Sequence, residues 1–331
     1  MIMKKVLVTG GNGFIGSHIV RRLVENGYEV AIFDVKEPDE VTKWWLNKYV
    51  GQFSYTNGNI ENWGNVVEIV NHFRPDAIVH LAAIINPVYL NTHPRLALKV
   101  NLEGTFNVLE SSRIFDVSRV VYFSSIGVLP SVQYRPIDNN HPVLLGTEGP
   151  GTNFYGSSKV SEEAFCWAYH QSYGLDFITI RPSAVYGFGM RWPLFVKPMV
   201  ENSINDLPTR FDHGRDFPRD YTHVDDIAQL VQKAIEVDKE KVKDRIFYGA
   251  TGSPLVTAGD VAEIVKAQIP GADITIGEGL SEGDLLEIRY RAVMDIQNAI
   301  DQLGYEPEFR DVKDGVADYI KHYREYKKSK A

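Results

Sequence analysis

Apolar residues gather in short runs at regular intervals through the first half of the chain, and between the runs they recur every three or four positions. The runs, near residues 4–9, 29–33, 53–57, 77–81, 119–124 and 176–180, have the length and β-branched content of buried strands. The stretches near 14–26, 62–73, 94–115 and 156–173 have the spacing of helices with one apolar face. Strands alternating with helices of this length need crossover connections, so the pattern predicts an α/β fold with a parallel, doubly wound sheet. After Arg181-Pro182 the pattern turns irregular and proline-rich, with one further core strand expected at 245–248 and two short helical stretches near the C-terminus. We therefore expect a nucleotide-type domain over 1–182, with a returning segment at about 220–250, and a smaller, discontinuous C-terminal substrate lobe from 183–219 and 251–331.

Ligands of doubly wound sheets lie beyond the carboxyl ends of the strands. The first strand runs into Thr9-Gly10-Gly11-Asn12-Gly13-Phe14-Ile15-Gly16. In such a turn Gly10 permits the reversal, Gly13 lets a pyrophosphate approach the backbone, and Gly16 lets the next helix pack close with its free N–H groups facing phosphate. The second strand ends at Asp34, where a carboxylate accepts from an adenosine ribose and repels a 2′-phosphate. Strand, glycine triplet, helix, strand and terminal acid in register predict a Rossmann-type domain that binds NAD in preference to NADP.

Charge and cysteine content narrow the partners. With 35 basic and 43 acidic residues the 331-residue chain carries a formal charge of −8, which argues against broad binding to nucleic acid. No apolar run approaches the roughly 18 residues of a membrane span. Met1-Ile2-Met3-Lys4-Lys5 leads straight into the first strand, so no signal peptide is evident and a cytoplasmic protein is expected. The lone Cys166, between Phe165 and Trp167, reads as a buried helix position.

Tyr155-Gly156-Ser157-Ser158-Lys159 sets a phenol and an ammonium four residues apart, on one face of a helix. A free phenol titrates near 10, too high for a base at neutral pH, and a neighbouring ammonium lowers that value. Tyr155 can then take or return the proton of an alcohol. The strand at 119–124 delivers Ser124 and Ser125 at its carboxyl end, and Ser125 is the candidate to orient the substrate oxygen.

These residues resemble the extended short-chain dehydrogenase/reductase family, the NAD-dependent epimerases and dehydratases that include nucleotide-sugar epimerases. The resemblance spans nearly the whole chain. It rests on the glycine turn, His80-Leu81-Ala82-Ala83, Asn101-Leu102-Glu103-Gly104-Thr105, Ser124-Ser125, the Tyr155 to Lys159 pair, and Arg181-Pro182 with Val185-Tyr186-Gly187. Arg219-Asp220-Tyr221-Thr222-His223-Val224-Asp225-Asp226 completes it. It implies that Ser125, three residues before Val128, acts with Tyr155, and that Lys159 holds the nicotinamide ribose. It further implies that Leu81, Ala82 and Ala83 line the cofactor, that Asn59, in place of a more usual aspartate, contacts adenine, and that Phe14, Ile15, Ile60 and Asn101 belong to the cofactor site. The helices near 94–115 and 156–173 resemble those that pair two subunits in this family, so a homodimer is expected.

The reaction is less constrained than the redox apparatus. Family dehydratases place an aspartate and a glutamate after the residue at position 125, and here Ile126 and Gly127 follow, which disfavours dehydration. A nucleotide-sugar epimerase working through a keto intermediate is the leading reading. A dehydrogenase of a free sugar, sugar acid or related hydroxy compound is the second, and a non-catalytic NAD-binding protein the third. Arg219 sits where the family supplies an arginine to the diphosphate, or else braces its loop against Asp216 or Asp220. Ala184 replaces a family asparagine, and Leu280-Ser281-Glu282 lacks a second diphosphate arginine, which leaves Arg289 and Arg291 as candidate replacements. Arg191, beside Trp192, is a candidate for a smaller carboxylate or phosphate. His223 and His80 read as structural, Trp44 and Trp45 as an adenine-side platform or plain packing, and no zinc pattern appears.

Overall fold

A computed structural model describes residues 4–145 and 153–330; Met1, Ile2 and Met3, read above as leading into a strand, lie outside the described residues. The apolar runs form β1 (Lys5–Thr9), β2 (Glu29–Asp34), β3 (Phe53–Asn57), β4 (Ala77–His80), β5 (Arg119–Phe123) and β6 (Phe177–Pro182). Then come β7 (Ala184–Tyr186), β8 (Thr209–Phe211), β9 (Pro218–Arg219), β10 (Tyr221–His223), β11 (Ile246–Gly249), β12 (Val256–Thr257) and β13 (Ile274–Ile276). Seven strands make one parallel sheet in the order β3-β2-β1-β4-β5-β6-β11. The order reverses between β1 and β4, so the loops after these two strands flank a crevice at the carboxyl edge.

Both faces of the sheet are covered, which is why its strands read as near-continuous apolar runs. Val6, Val8, Val79 and Val121 point to one side, where Ile19, Val20 and Leu23 of helix Phe14–Glu25 and Ile227, Leu230 and Val231 of helix Val224–Glu236 meet them. Leu7, Ile78, Val120 and Tyr122 point to the other, against helices Trp63–Phe73, Gly104–Ile114 and Phe154–Tyr173. The last of these starts where the Asn153 side chain accepts from Gly156 N at 2.8 Å and stops at Gly174, whose φ of 70° suits glycine.

Three smaller sheets build the C-terminal lobe: β7 with β10, β8 with β13, and β9 with β12. Because β7 follows β6 after a single residue, this lobe grows directly from the carboxyl edge. Two elements differ from the pattern-based expectation. The stretch at 94–115 divides into Pro94–Leu96, a π-helical segment Ala97–Glu103, and Gly104–Ile114. The C-terminus holds a long helix, Val312–Lys330, which runs through Lys327 and Lys328 and ends with Lys330 Nζ 2.8 Å from Glu40. Its stripe of Val312, Val316, Tyr319 and Ile320 is buried, and an otherwise charged sequence masks that stripe. No helix among the described residues is long and apolar enough to cross a membrane.

Candidate active site

The glycine turn is shaped by close backbone approach. Gly10 has φ of 71°, and a Cβ there would lie 2.9 Å from Ala82 N, so the turn after β1 is held against the loop after β4. A Cβ on Gly16 would lie 2.7 Å from Gly11 Cα, and one on Gly13 3.0 Å from Gly10 O. Helix Phe14–Glu25 begins at Gly13 with no side chain capping its first N–H groups, so those donors and the positive end of the helix are left for an anion. Phe14 and Ile15 form its half-buried first turn. Asp34 stands at the rim, where Oδ2 accepts from Asn12 N at 3.1 Å and Oδ1 from Lys36 N at 3.0 Å. A bare helix start, a cradle that a Cβ would fill and a carboxylate beside it fit a dinucleotide.

Asn59 lines a polar hollow of about 170 Å³ with Glu61, Asn62, Lys99 and Glu103, and Ile60 beside it is buried, its carbonyl accepting from Asn107. Leu81 N donates to Thr9 O and Ala82 N to Thr9 Oγ1, both at 3.2 Å, and Ala83 is half-buried in the same loop. Asn101 acts as a brace: fully buried, its amide donates to Ile84 O and Ser158 Oγ and accepts from Ile84 N.

Ser125 is extended, and its Oγ accepts from Gly127 N at 2.9 Å, capping the turn Ile126–Val128 that packs on helix Phe154–Tyr173. Tyr155 is half-buried in the first turn of that helix. Lys159, one turn on, is 4% exposed, and its Nζ donates to Phe123 O at 2.9 Å and to Glu162 Oε2 at 3.0 Å. This bond to Phe123 fastens the Tyr155 helix to the strand end that carries Ser125. Ser124 is committed elsewhere: its Oγ donates to Glu163 Oε1 at 2.5 Å, and Glu163 is gripped by both Nε and Nη2 of Arg181.

Glu162 Oε2 also accepts from Thr105 Oγ1 at 2.9 Å and Tyr122 OH at 2.8 Å. Thr105 Oγ1 lies 3.0 Å from His80 Nε2, and His80 Nδ1 lies 2.7 Å from Thr9 Oγ1. Burial, and then the charge of Lys159, push His80 down to about 3, so its ring is neutral. Glu162 and Glu163 escaped the sequence reading. Their signal was two acids three and four positions after Lys159, on the inward face of its helix.

The remaining candidates have partners within the chain. Arg191, expected at a substrate anion, instead donates to Asn12 O at 2.8 Å and pairs with Asp39 at 2.8 Å, because its loop folds back so that Gly189 lies near Val41 and Phe14. Arg219 lies in β9 and pairs with Glu287 at 3.1 Å rather than with Asp216 or Asp220. His223 caps helix Val224–Glu236 through Asp225 N, and its Nε2 lies 3.4 Å from Asp318. Asp225 is shared by His18 and the Arg21 guanidinium, so one acid of the His223, Asp225 and Asp318 cluster is already spent on a cation. Trp45 packs between His18, Phe188 and His322, and Trp44 against Phe188 and Tyr326. Cys166 is buried.

Residues 6–248 match the model of the NAD dependent epimerase/dehydratase family. The chain belongs to that family. It is 31% identical over 319 residues to a putative UDP-glucose 4-epimerase of Methanocaldococcus jannaschii, covering 94% of this chain and 95% of the relative. A UDP-glucose 4-epimerase of Thermotoga maritima, solved with UDP-glucose, has a TM-score of 0.82 at 26% identity, covering 97% of this chain and 99% of that one. A UDP-glucose 4-epimerase of Thermus thermophilus, solved with NAD, has a TM-score of 0.76 at 26% identity, with coverage of 97% and 99%. As a member of the epimerase/dehydratase family the protein is an NAD-dependent enzyme of the extended short-chain dehydrogenase/reductase type, and NAD is its cofactor.

Proposed function

We propose that the protein is a nucleotide-sugar epimerase that oxidises one carbinol of its substrate to a ketone and reduces it again from the other face. The observation that supports this reading is the bond from Lys159 Nζ to Phe123 O, because it fastens the helix that carries Tyr155 and Lys159 to the strand that Ser125 follows. Ser125 Oγ holds the substrate hydroxyl, and Tyr155 Oη takes its proton. Lys159 holds its ammonium one helical turn on, on the same face. The helix start at Gly13 and Asp34 would hold NAD, which would supply the acceptor for the hydride of the carbinol carbon. On the return, Tyr155 gives the proton back to the same oxygen. Ile126 and Gly127 offer no proton carriers for loss of water.

Exposed Leu98, Phe106, Phe154 and Phe165 lie on the helical segments Ala97–Glu103, Gly104–Ile114 and Phe154–Tyr173, which supports a homodimer built on this face. A dehydrogenase of a free sugar, sugar acid or related hydroxy compound is the second reading, favoured by Ala184, buried in β7 where an asparagine was expected. Calorimetric titration with UDP, GDP, CDP and dTDP tests the first reading, which expects micromolar binding of one of them. Binding of none would overturn it and point to net NADH formation from free hydroxy compounds.

A further inference from the structure

The loop that follows β7 runs from the C-terminal lobe back to the first turn of helix Phe14–Glu25, where two contacts fasten it. One is buried: His18 Nε2 donates to Phe188 O at 3.0 Å. The other is open to water: Arg191 Nη2 lies 2.8 Å from Asn12 O and 2.8 Å from Asp39 Oδ2, and the Arg191 and Asp39 side chains are 47% and 49% exposed. Gly189, between the two, lies near Phe14 and Val41. A guanidinium nitrogen of this kind has two hydrogens, so one serves a carbonyl of the glycine turn and the other a carboxylate of the loop after β2. Three separate segments meet at one nitrogen.

Asn12 is a sensitive place to hold. Its N–H donates to Asp34 Oδ2 at 3.1 Å and its side chain to Lys36 O at 2.8 Å, so the end of β2 and the loop after it grip one side of the residue. Its carbonyl accepts from Thr42 Oγ1 at 3.3 Å and from Arg191. That carbonyl shares a planar peptide unit with the Gly13 N–H, which closes the turn on Gly10 O at 3.0 Å. Fixing the carbonyl therefore fixes the plane from which helix Phe14–Glu25 starts, and with it the aim of the uncapped N–H groups left for a pyrophosphate. Asp34, Lys36 and Thr42 all belong to β2, its loop and helix Glu40–Leu46, whereas Arg191 reaches Asn12 from 179 positions away.

We propose that Arg191 is a positioning residue for the cofactor: it tethers the Asn12 carbonyl of the glycine turn to the loop after β7, with Asp39 holding the guanidinium in place, and so slows the release of NAD. Of the two fastenings this is the releasable one, because salt screens a half-exposed ion pair and does not reach the buried His18 bond. The tether requires NAD as cofactor and is independent of which hydroxy compound is oxidised.

Release of NADH from the full-length protein, loaded with NADH and chased with excess NAD, tests the tether in wild type, Arg191→Gln, Arg191→Lys, Asp39→Asn and the Arg191→Gln, Asp39→Asn double variant. Asp39→Asn keeps an oxygen for Thr42 N, so the cap of helix Glu40–Leu46 survives and only the charge is lost. The expected release is about tenfold faster in Arg191→Gln and about threefold faster in Asp39→Asn, with the double variant no faster than Arg191→Gln because the two side chains act as one unit. Arg191→Lys, which keeps a cation with donors on one nitrogen, recovers much of the loss, and added salt narrows the gap between wild type and Arg191→Gln. Release within about twofold of wild type in Arg191→Gln would overturn the tether. Faster release that Arg191→Lys does not reduce, matched by an equal loss of stability to denaturant, would make Arg191 a packing residue and overturn it as well. So would a protein that binds no NADH. Should Arg191→Gln fail to fold, Asp39→Asn still decides, since its side chain is half-exposed and its cap is retained.

Discussion

Lys159 Nζ lies 3.0 Å from Glu162 Oε2, and that oxygen ends a directed chain of buried hydrogen bonds reaching back to the glycine turn. Thr105 spends its proton on Glu162, so His80 Nε2 must donate to Thr105; with the ring neutral, His80 Nδ1 then accepts from Thr9, whose oxygen accepts from Ala82 N. Burial and the charge of Lys159 keep the His80 ring neutral. The glycine turn and Lys159 are thereby positioned by one polar network.

Glu162→Gln removes the carboxylate on which Lys159 Nζ, Thr105 Oγ1 and Tyr122 OH converge, so Lys159 is held less firmly and turnover falls by on the order of tenfold. Steady-state rates beside denaturant unfolding check it, and unchanged turnover in a folded variant would leave Glu162 with a merely structural part.

Tyr155→Phe removes the proton carrier and nothing that grips the dinucleotide. Turnover falls by about 10²-fold or more while NAD affinity stays within about threefold of the wild type. Steady-state rates paired with NAD titration check both halves, and retained turnover would sink the assigned role.

Asp34 is held at the rim of the turn by Asn12 N and Lys36 N, where a 2′-phosphate would meet its charge. Asp34→Arg reverses that sign, so the ratio of NADP to NAD affinity rises by on the order of tenfold. Comparing the two dissociation constants in wild type and variant decides it, and an unchanged ratio counts against ribose contact.

Asp220 is buried, and its Oδ2 finds no hydrogen-bond partner among the described residues, which pushes its carboxyl from the ordinary 3.8 up to about 7. The folded state then holds a proton that the unfolded state releases, so this group's contribution is fully present below about 3.8 and is lost as pH rises to about 7. Wild-type stability, relative to Asp220→Asn, declines over that window by on the order of 1 kcal/mol per pH unit. Denaturant unfolding of both proteins at several pH values measures the difference, and parallel curves would refute it.

The chain alone carried the Rossmann-type sheet, the Gly10 turn, and the Tyr155 and Lys159 pair, because period and short-range spacing encode strands, helices and residues on one helical face. Local pattern also misled: an otherwise charged sequence hid the buried stripe of helix Val312–Lys330, and nothing beside Arg191 in sequence announced its bond to Asn12 O. Ser124 and Ser125 are neighbours of identical chemistry, and only Glu163, 39 residues on, shows which hydroxyl is already spent. Arg219 and Arg291 stand 72 positions apart by number and share one oxygen of Glu287. Composition and spacing determined the scaffold and its redox chemistry. Tertiary structure decided which polar groups are compensated and which are left to act, because that depends on burial and on partners distant in sequence, which no local periodicity records.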